Sequence, residues 1–560
     1  MKKIMNIKKL LSSSLLLLFL LLCGSCSEDF LDRAPKGSYT EDSFYASDEA
    51  LDAACRPLYN RAWYGFNQRA IYGLGSLRAN DAFNAYAFPE FVRFQTTSLT
   101  ESVSQAWASL YTVITMSNAV LTGVENKATA DVSEAAKNKA IGECCLMRAT
   151  AYFYGVRIWG SMILFENNDD VVLVPIRPRN PEEDVFSFII RDLRKACELL
   201  PDKDSNGRAT RWTAKAMLAK VLLTHSGWNK TTRDEVELQE CINLCEDVIN
   251  NSGYRLMDDY EELFRYQNNL NSESLFAMRW TPLGGWGTAN ALLSDLSFSE
   301  VCDVGCWANN LVSSIDMINL YNLDTKNHDY KRRRATFFIP GEYYSYIKSA
   351  HGGYTYEHNW MQVKKGVVGS KEDNDGKIDQ MNSPLHTYIL RLADVYLTEA
   401  EAALGNKTEL TSGTGLQRFN DIRRRADVST KNKITFEDII AERRIEFCME
   451  YANWFDMVTW YRWKPQYMLD YFNNTQKRCY LINTDGVRVE ADGSLSYHVA
   501  WFNDDQGNEI WNSVEGYNDT GNYTPPTILT SDFNVFIPYP ESDLLQNPYL
   551  REEPQPYPFK

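Results

Sequence analysis

Cys26 closes a stretch in which Lys2, Lys3, Lys8 and Lys9 precede the apolar run Leu15–Leu22 and the small residues Gly24 and Ser25. That order reads as an export signal over residues 1–25 and resembles a bacterial lipoprotein signal, in which Cys26 would become the acylated first residue. An ordinary signal peptide cut nearby is the alternative. The apolar run falls short of the ~20 residues that span a bilayer, whereas each buried acyl methylene contributes about 0.8 kcal/mol, so several chains would hold the body on a membrane. Glu442, Glu446 and Asp456 are the carboxylates whose grouping invites an acid–base reading, because glycoside hydrolysis uses two carboxyl groups facing across a cleft. Their setting favours structure: helical spacing puts Glu442 and Glu446 on one face, where arginines of neighbouring helices such as Arg391 or Arg423 can pair with them. No catalytic residue is assigned.

The remaining chemistry is recognition. Aromatic residues make up 13% of the chain, with 14 Trp and 32 Tyr, more than a core requires, so some should line a binding surface. Two irregular segments collect them. Arg78 to Tyr86 mixes amides, a carboxylate and aromatics, with Asn80, Asp81 and Tyr86 as candidate contacts. The second runs from Trp280 through Trp286 to Trp307. Trp286 stands in Gly284-Gly285-Trp286-Gly287, a setting that permits exposure, and is the first candidate. For Trp286, Trp307 and Tyr86, a place in the core or against a protein partner stays open beside ligand stacking.

Cys55, Cys144, Cys145, Cys197, Cys241, Cys245 and Cys448 fall in helical patterns and read as small buried hydrophobes. Cys302 and Cys306 flank Gly305 in an irregular segment, where a local disulfide is open. The six histidines are scattered, no loop has calcium-ligand spacing, and neither metal nor cofactor is expected. The whole chain carries −16, and loss of residues 1–25 removes four lysines and no acids, leaving −20. That charge argues against nucleic acid as a partner.

The elements that must position these residues are mainly helices. Apolar stripes recur at Leu51, Ala54, Cys55, Leu58, then at Trp107, Leu110, Ile114, Leu121, and again at Ile141, Cys145, Ala149, Tyr152, Val156. Asn180 as N-cap, with Pro181 and Glu182 in the first turn, starts a further helix that Pro201 ends. Helices are expected at about 210–226 and 235–251, and again at Tyr388–Leu404, Leu416–Ala426 and Phe436–Tyr461, the last opened by a Thr435/Asp438 capping box. None can cover its own apolar face, which predicts a mainly α fold: a tetratricopeptide-like stack of helical hairpins with a large loop-rich lobe and a few short strands. The scaffold would take about 40–253 and 384–465 of a single body, 26–560. About 254–383 and 466–560 would be irregular and carry ligand and partner contacts, with one strand-like stretch at Leu275–Arg279.

The motif order resembles the SusD/RagB family. Glu442-Arg443-Arg444-x-Glu446-Phe447, followed by Glu450 and by Trp454-Phe455-Asp456, matches its strongest signature. Leu390-Arg391-x-Ala393-Asp394-Val395-Tyr396-Leu397 with Glu399-Ala400-Glu401, Asn420-x-x-Arg423-x-Arg425-Ala426, Leu146-x-Arg148-Ala149-x-Ala151-Tyr152, Phe536-Ile537-Pro538 and Phe30-Leu31-Asp32 follow the family in order. Asn453 and Thr459 depart from it, standing where Gly or Arg, and Arg, are usual. The resemblance implies a non-enzymatic, lipid-anchored, glycan-binding protein of the outer-membrane cell surface, acting as a hinged lid on a SusC-like TonB-dependent transporter. Ser27-Glu28-Asp29 resembles the surface-export signal of Bacteroidetes lipoproteins. The alternatives are a lipid-anchored glycoside hydrolase and a helical adaptor that binds protein.

Overall fold

A computed structural model describes residues 42–84, 88–303, 305–306, 308, 311–476, 486–498 and 527–559. Cys26 and the export signal expected over residues 1–25 lie outside them. Among the described residues no helix is long and apolar enough to cross a membrane.

The helical part is built from α1 (Asp48–Cys55), α2 (Glu101–Lys127), α3 (Glu134–Trp159), α4 (Glu182–Leu199), α5 (Arg211–Gly227), α6 (Glu235–Asn251), α7 (Leu392–Leu404), α8 (Thr414–Arg425), α9 (Phe436–Glu446) and α10 (Asn453–Trp463). From α2 to α8 each packs on the next in chain order, so α6 meets α7 across the intervening loop-rich residues. Apolar stripes explain this stack: Phe186, Ile189, Leu193 and Ala196 of α4 are all buried, as the periodicity requires.

Local signals set some helix ends and not others. Thr435 and Asp438 form the expected capping box. Asn180 does not cap α4; its side chain accepts from Leu164 N at 2.8 Å and donates to Gln555 O at 2.8 Å, leaving Pro181 to precede the helix. Two expected helices are also corrected. Residues 387–391 form a strand ahead of α7, and the helix read over Phe436–Tyr461 is broken between α9 and α10, where Met449 and Tyr451 take positive φ of 59° and 64°. The break makes room for Gly75, whose missing Cβ would lie 2.1 Å from Tyr451 O.

The loop-rich residues are more ordered than their text suggests. Strands β1 (Ala82–Asn84), β2 (Ser274–Met278), β3 (Leu311–Ser313), β4 (Phe337–Phe338), β5 (Gln362–Val363) and β6 (Thr387–Arg391) are short. One four-stranded sheet runs in the order β1-β3-β5-β4, with Asn84 opposite Leu311. β2 pairs antiparallel with β6 and so ties this part to α7.

Where the two parts meet, charge is buried in pairs. Glu446 receives Arg391 at 2.7 Å, Arg332 at 3.1 Å and Arg425, while Glu442 receives Arg332 and Arg423, each at 2.6 Å. Asp329, Glu273 and Glu450, the last at 2.7 Å from Arg391, complete the shell around Arg332, Arg391 and Arg425. A second cluster joins Lys220 and Arg443 to Asp394 and Asp456. Glu442 pairs with Arg423 and Glu446 with Arg391, as their shared helix face permits, but Arg391 ends strand β6 and does not stand on a neighbouring helix. Burial alone would raise Glu446, but Arg425, Arg391 and Arg332 outweigh it and hold the carboxyl well below the usual range.

Candidate functional site

The chain leaves β2 at Met278 and turns on a glycine-rich loop. Thr281 N donates to Thr288 O at 2.8 Å and closes the loop at its base; Thr288 Oγ1 donates to Gly284 O at 2.7 Å inside it. Leu283, Gly285 and Gly287 all have positive φ, and a Cβ at Gly285 or Gly287 would meet nothing, so the tip stands in the open. Trp286 sits at this tip and is 69% exposed. Tyr64 braces it from beneath, edge to face at 6.4 Å and 87°. The exposed indole offers a flat apolar face that matches a ligand with a flat apolar side.

Trp280, six residues earlier, has the opposite fate and is corrected as a ligand contact. It is 3% exposed, packs on Tyr64 at 6.3 Å and donates its Nε1 to Thr387 Oγ1 at 3.0 Å. Thr387 in turn donates to Asn67 Oδ1 at 2.7 Å, and Asn67 Nδ2 to Asn290 Oδ1 at 3.0 Å. Asn290 Nδ2 reaches Leu385 O at 2.8 Å. This buried chain of polar side chains pins both feet of the loop to the strand β6 and to the segment after α1. Every member has a partner, as a network in low dielectric requires. Tyr64, Asn67 and Thr387 were not among the candidates read from sequence; no local pattern marks a residue that supports another from a distant segment.

Asn80 and Asp81 are likewise corrected. Both are fully buried. Asn80 takes the left-handed conformation at φ 66° and its carbonyl accepts from Ser314 Oγ at 2.7 Å. Asp81 accepts from Met449 N at 3.0 Å and from Asn453 Nδ2 at 2.9 Å, so it clamps the break between α9 and α10 onto the start of β1. Burial pushes its carboxyl up to about 6, against Arg444 and these hydrogen bonds. Asn453, one of the two departures from the family pattern, is thereby accounted for as the donor to Asp81 and to Arg444 O.

Tyr86 and Trp307 lie outside the described residues. Phe88 carries the Arg69 guanidinium at 4.9 Å, and Arg69 reaches Asp295 at 3.7 Å. Cys302 and Cys306 are free thiols. No group of three or more His, Cys, Asp or Glu among the described residues is arranged to hold a metal ion. The Asp373 carboxylate, in the acidic loop 372–375, accepts from Lys348 N, Ser349 N and Ser370 N instead.

With this geometry in hand, known proteins are informative. Residues 310–555 match the model described as SusD family, and residues 29–223 the model described as starch-binding associating with outer membrane. The Trp286 loop falls between the two matched stretches. A SusD-like protein of Bacteroides ovatus is 53% identical over 545 residues, covering 96% of this chain and 97% of that protein. A crystal structure with xylogluco-oligosaccharide is 50% identical, covers 91% of this chain and 100% of its own, and has a TM-score of 0.82. A laminarin-binding SusD-like protein, at 20% identity and a TM-score of 0.59 over 75% of this chain and 93% of that one, shares the fold. Two family models over both halves and a relative of full length leave one assignment: the chain belongs to the SusD family.

Proposed function

We propose that this protein is a glycan-binding lipoprotein of the outer cell surface that presents Trp286 to a polysaccharide and passes it to a SusC-type TonB-dependent transporter, over which it closes as a lid. Trp286 carries the reading: an exposed indole, braced by Tyr64, on a loop whose feet are fixed by the Trp280–Thr387–Asn67–Asn290 network. Pyranose rings have apolar C–H faces that stack on such a platform, while rim groups bond the hydroxyls. Tyr86 and Trp307 would extend it, and acyl chains on Cys26 would hold it at the membrane. The relative crystallised with xylogluco-oligosaccharide makes a xyloglucan chain the first ligand to test. The task is binding without bond cleavage, since Glu442 and Glu446 are each committed to guanidinium partners.

Affinity electrophoresis in gels containing xyloglucan tests the reading. Wild type should be retarded and Trp286→Ala should migrate with a weaker retardation, corresponding to a loss of about tenfold in affinity for ~1.4 kcal/mol of stacking. Equal mobility of wild type with and without the polysaccharide would refute xyloglucan as ligand. Steady release of reducing ends from the bound glycan would refute the non-catalytic part.

A further inference from the structure

Among the described residues, three pairs of cysteine thiols lie side by side. Cys55 meets Cys144, Cys241 meets Cys245, and Cys302 meets Cys306, each pair close enough to share a hydrogen bond. The first two pairs are completely buried at helix interfaces, where no oxidant reaches. The third is different. Cys302 is buried in a small apolar cluster with Ile378 and Val368, while Cys306 is only partly covered by it, in a segment without helix or strand.

The loop that holds this third pair is already closed. Ala308 N donates to Ser297 O at 2.9 Å across its feet, and Cys302 N donates to Phe298 O at 3.1 Å. Gly305 takes the left-handed φ of 89°, and Cys306 packs against the cluster that holds Cys302. Asp303 between them accepts from Lys371 N at 2.9 Å and anchors the loop to its neighbour. The two thiols thus meet within one short turn whose feet are already held together, and a bond between them would draw the sulfurs to the disulfide length of about 2 Å.

We propose that Cys302 and Cys306 are an oxidisable dithiol that closes to an intramolecular disulfide and fixes the loop leading into β3. With a small-molecule disulfide as oxidant, one thiolate of the pair attacks it and expels a thiolate. The second cysteine then displaces the other half from the mixed disulfide. Two protein thiols are oxidised, one external disulfide is reduced to two thiols, and the two protons leave to solvent or to the departing thiolates. The loop also carries Glu300, which accepts from Tyr354 at 2.8 Å and from His358 at 2.9 Å.

The test uses the full chain incubated with excess oxidised glutathione, unfolded in iodoacetamide and digested with trypsin. Residues 280–326 hold no lysine or arginine before Lys326, so both cysteines fall in one peptide. That peptide should be two hydrogens lighter and unalkylated, while the peptides of Cys55, Cys144, Cys241 and Cys245 carry alkyl groups. Cys302→Ser should instead leave Cys306 bearing one glutathione. Oxidised wild type should melt about 2 °C above the reduced form, from the entropy of a five-residue ring in a chain of this size, and Cys302→Ser/Cys306→Ser should show no difference. Two alkyl groups on the wild-type peptide, or glutathione adducts without ring closure, would overturn the proposal. Xyloglucan retention separates it from the functional reading: ring closure without retention in either redox state sinks the latter alone, and retention with permanently open thiols sinks the former alone.

Discussion

Glu446→Gln is the sharpest perturbation of the scaffold. The side chain is fully buried and is the meeting point of Arg332, Arg391 and Arg425. Glutamine keeps the shape and removes the charge, leaving three guanidinium groups to share Glu273, Glu442, Glu450 and Asp329. Removing one member of a buried ion pair costs about 3–5 kcal/mol. Unfolding entropy scales with length, so for more than 500 residues this corresponds to a fall of about 3–5 °C in melting temperature. Scanning calorimetry at pH 7 reads it, with exposed Glu409→Gln, paired only to Lys433, as the control. The sign of the pH dependence follows from the depressed carboxyl of Glu446: its stabilisation is complete above the unfolded glutamate range near 4.3 and is lost as pH falls toward the lower folded value. The gap between wild type and variant should therefore narrow below about pH 4. A variant melting within about a degree of wild type at pH 7, or a gap that widens with acid, would refute the reasoning.

Asp81→Asn should behave in the opposite sense: ionising a carboxyl raised to about 6 costs stability as pH climbs from about 4 to 7, so the variant should gain on wild type by roughly 2–3 kcal/mol over that interval, read by chemical denaturation. Asn67→Ala strands Thr387 and Asn290 in the buried network and should lose about 1–3 kcal/mol of stability together with glycan retention, whereas Trp286→Ala, already exposed, should lose retention with a melting temperature unchanged within about a degree. Cys26→Ala should release the protein from the membrane fraction; persistence there after a carbonate wash would contradict the lipid anchor.

The helices were legible because each repeats a buried stripe over several turns, and the Glu442 and Glu446 pairings because helical spacing fixes one face. The site was legible only in part. Trp280 and Trp286 share a loop and a residue type, and only the flanking glycines distinguish the exposed one; Trp280 is claimed by Thr387, more than a hundred residues away, which no local pattern reveals. Asn80 and Asp81 read as a polar binding loop because amides and carboxylates serve ligands and backbone clamps equally well. The break after α9 has no sequence signal at all: Met449 and Tyr451 are poor candidates for positive φ and adopt it because Gly75, Ser76 and Asp81 hold that backbone in place. Strand β6 was hidden inside an apolar run long enough to be a helix, and its pairing with β2 decided the outcome.

The arginine cluster also sets an order of events for the nascent chain. Arg332, Arg391 and Arg425 all precede the glutamate they converge on, and Glu273 precedes them all. Until Glu442 and Glu446 have been synthesised, these groups cannot enter a dry interior without forfeiting several kcal/mol each. The segment between α6 and α9 is thus kept from premature collapse by its own charges, and the junction of the two parts seals late, when more than three-quarters of the polypeptide exists. If the chain crosses a membrane before it folds, as proposed above, this arrangement would give it time, and a truncated product ending near residue 430 should be degraded by proteases.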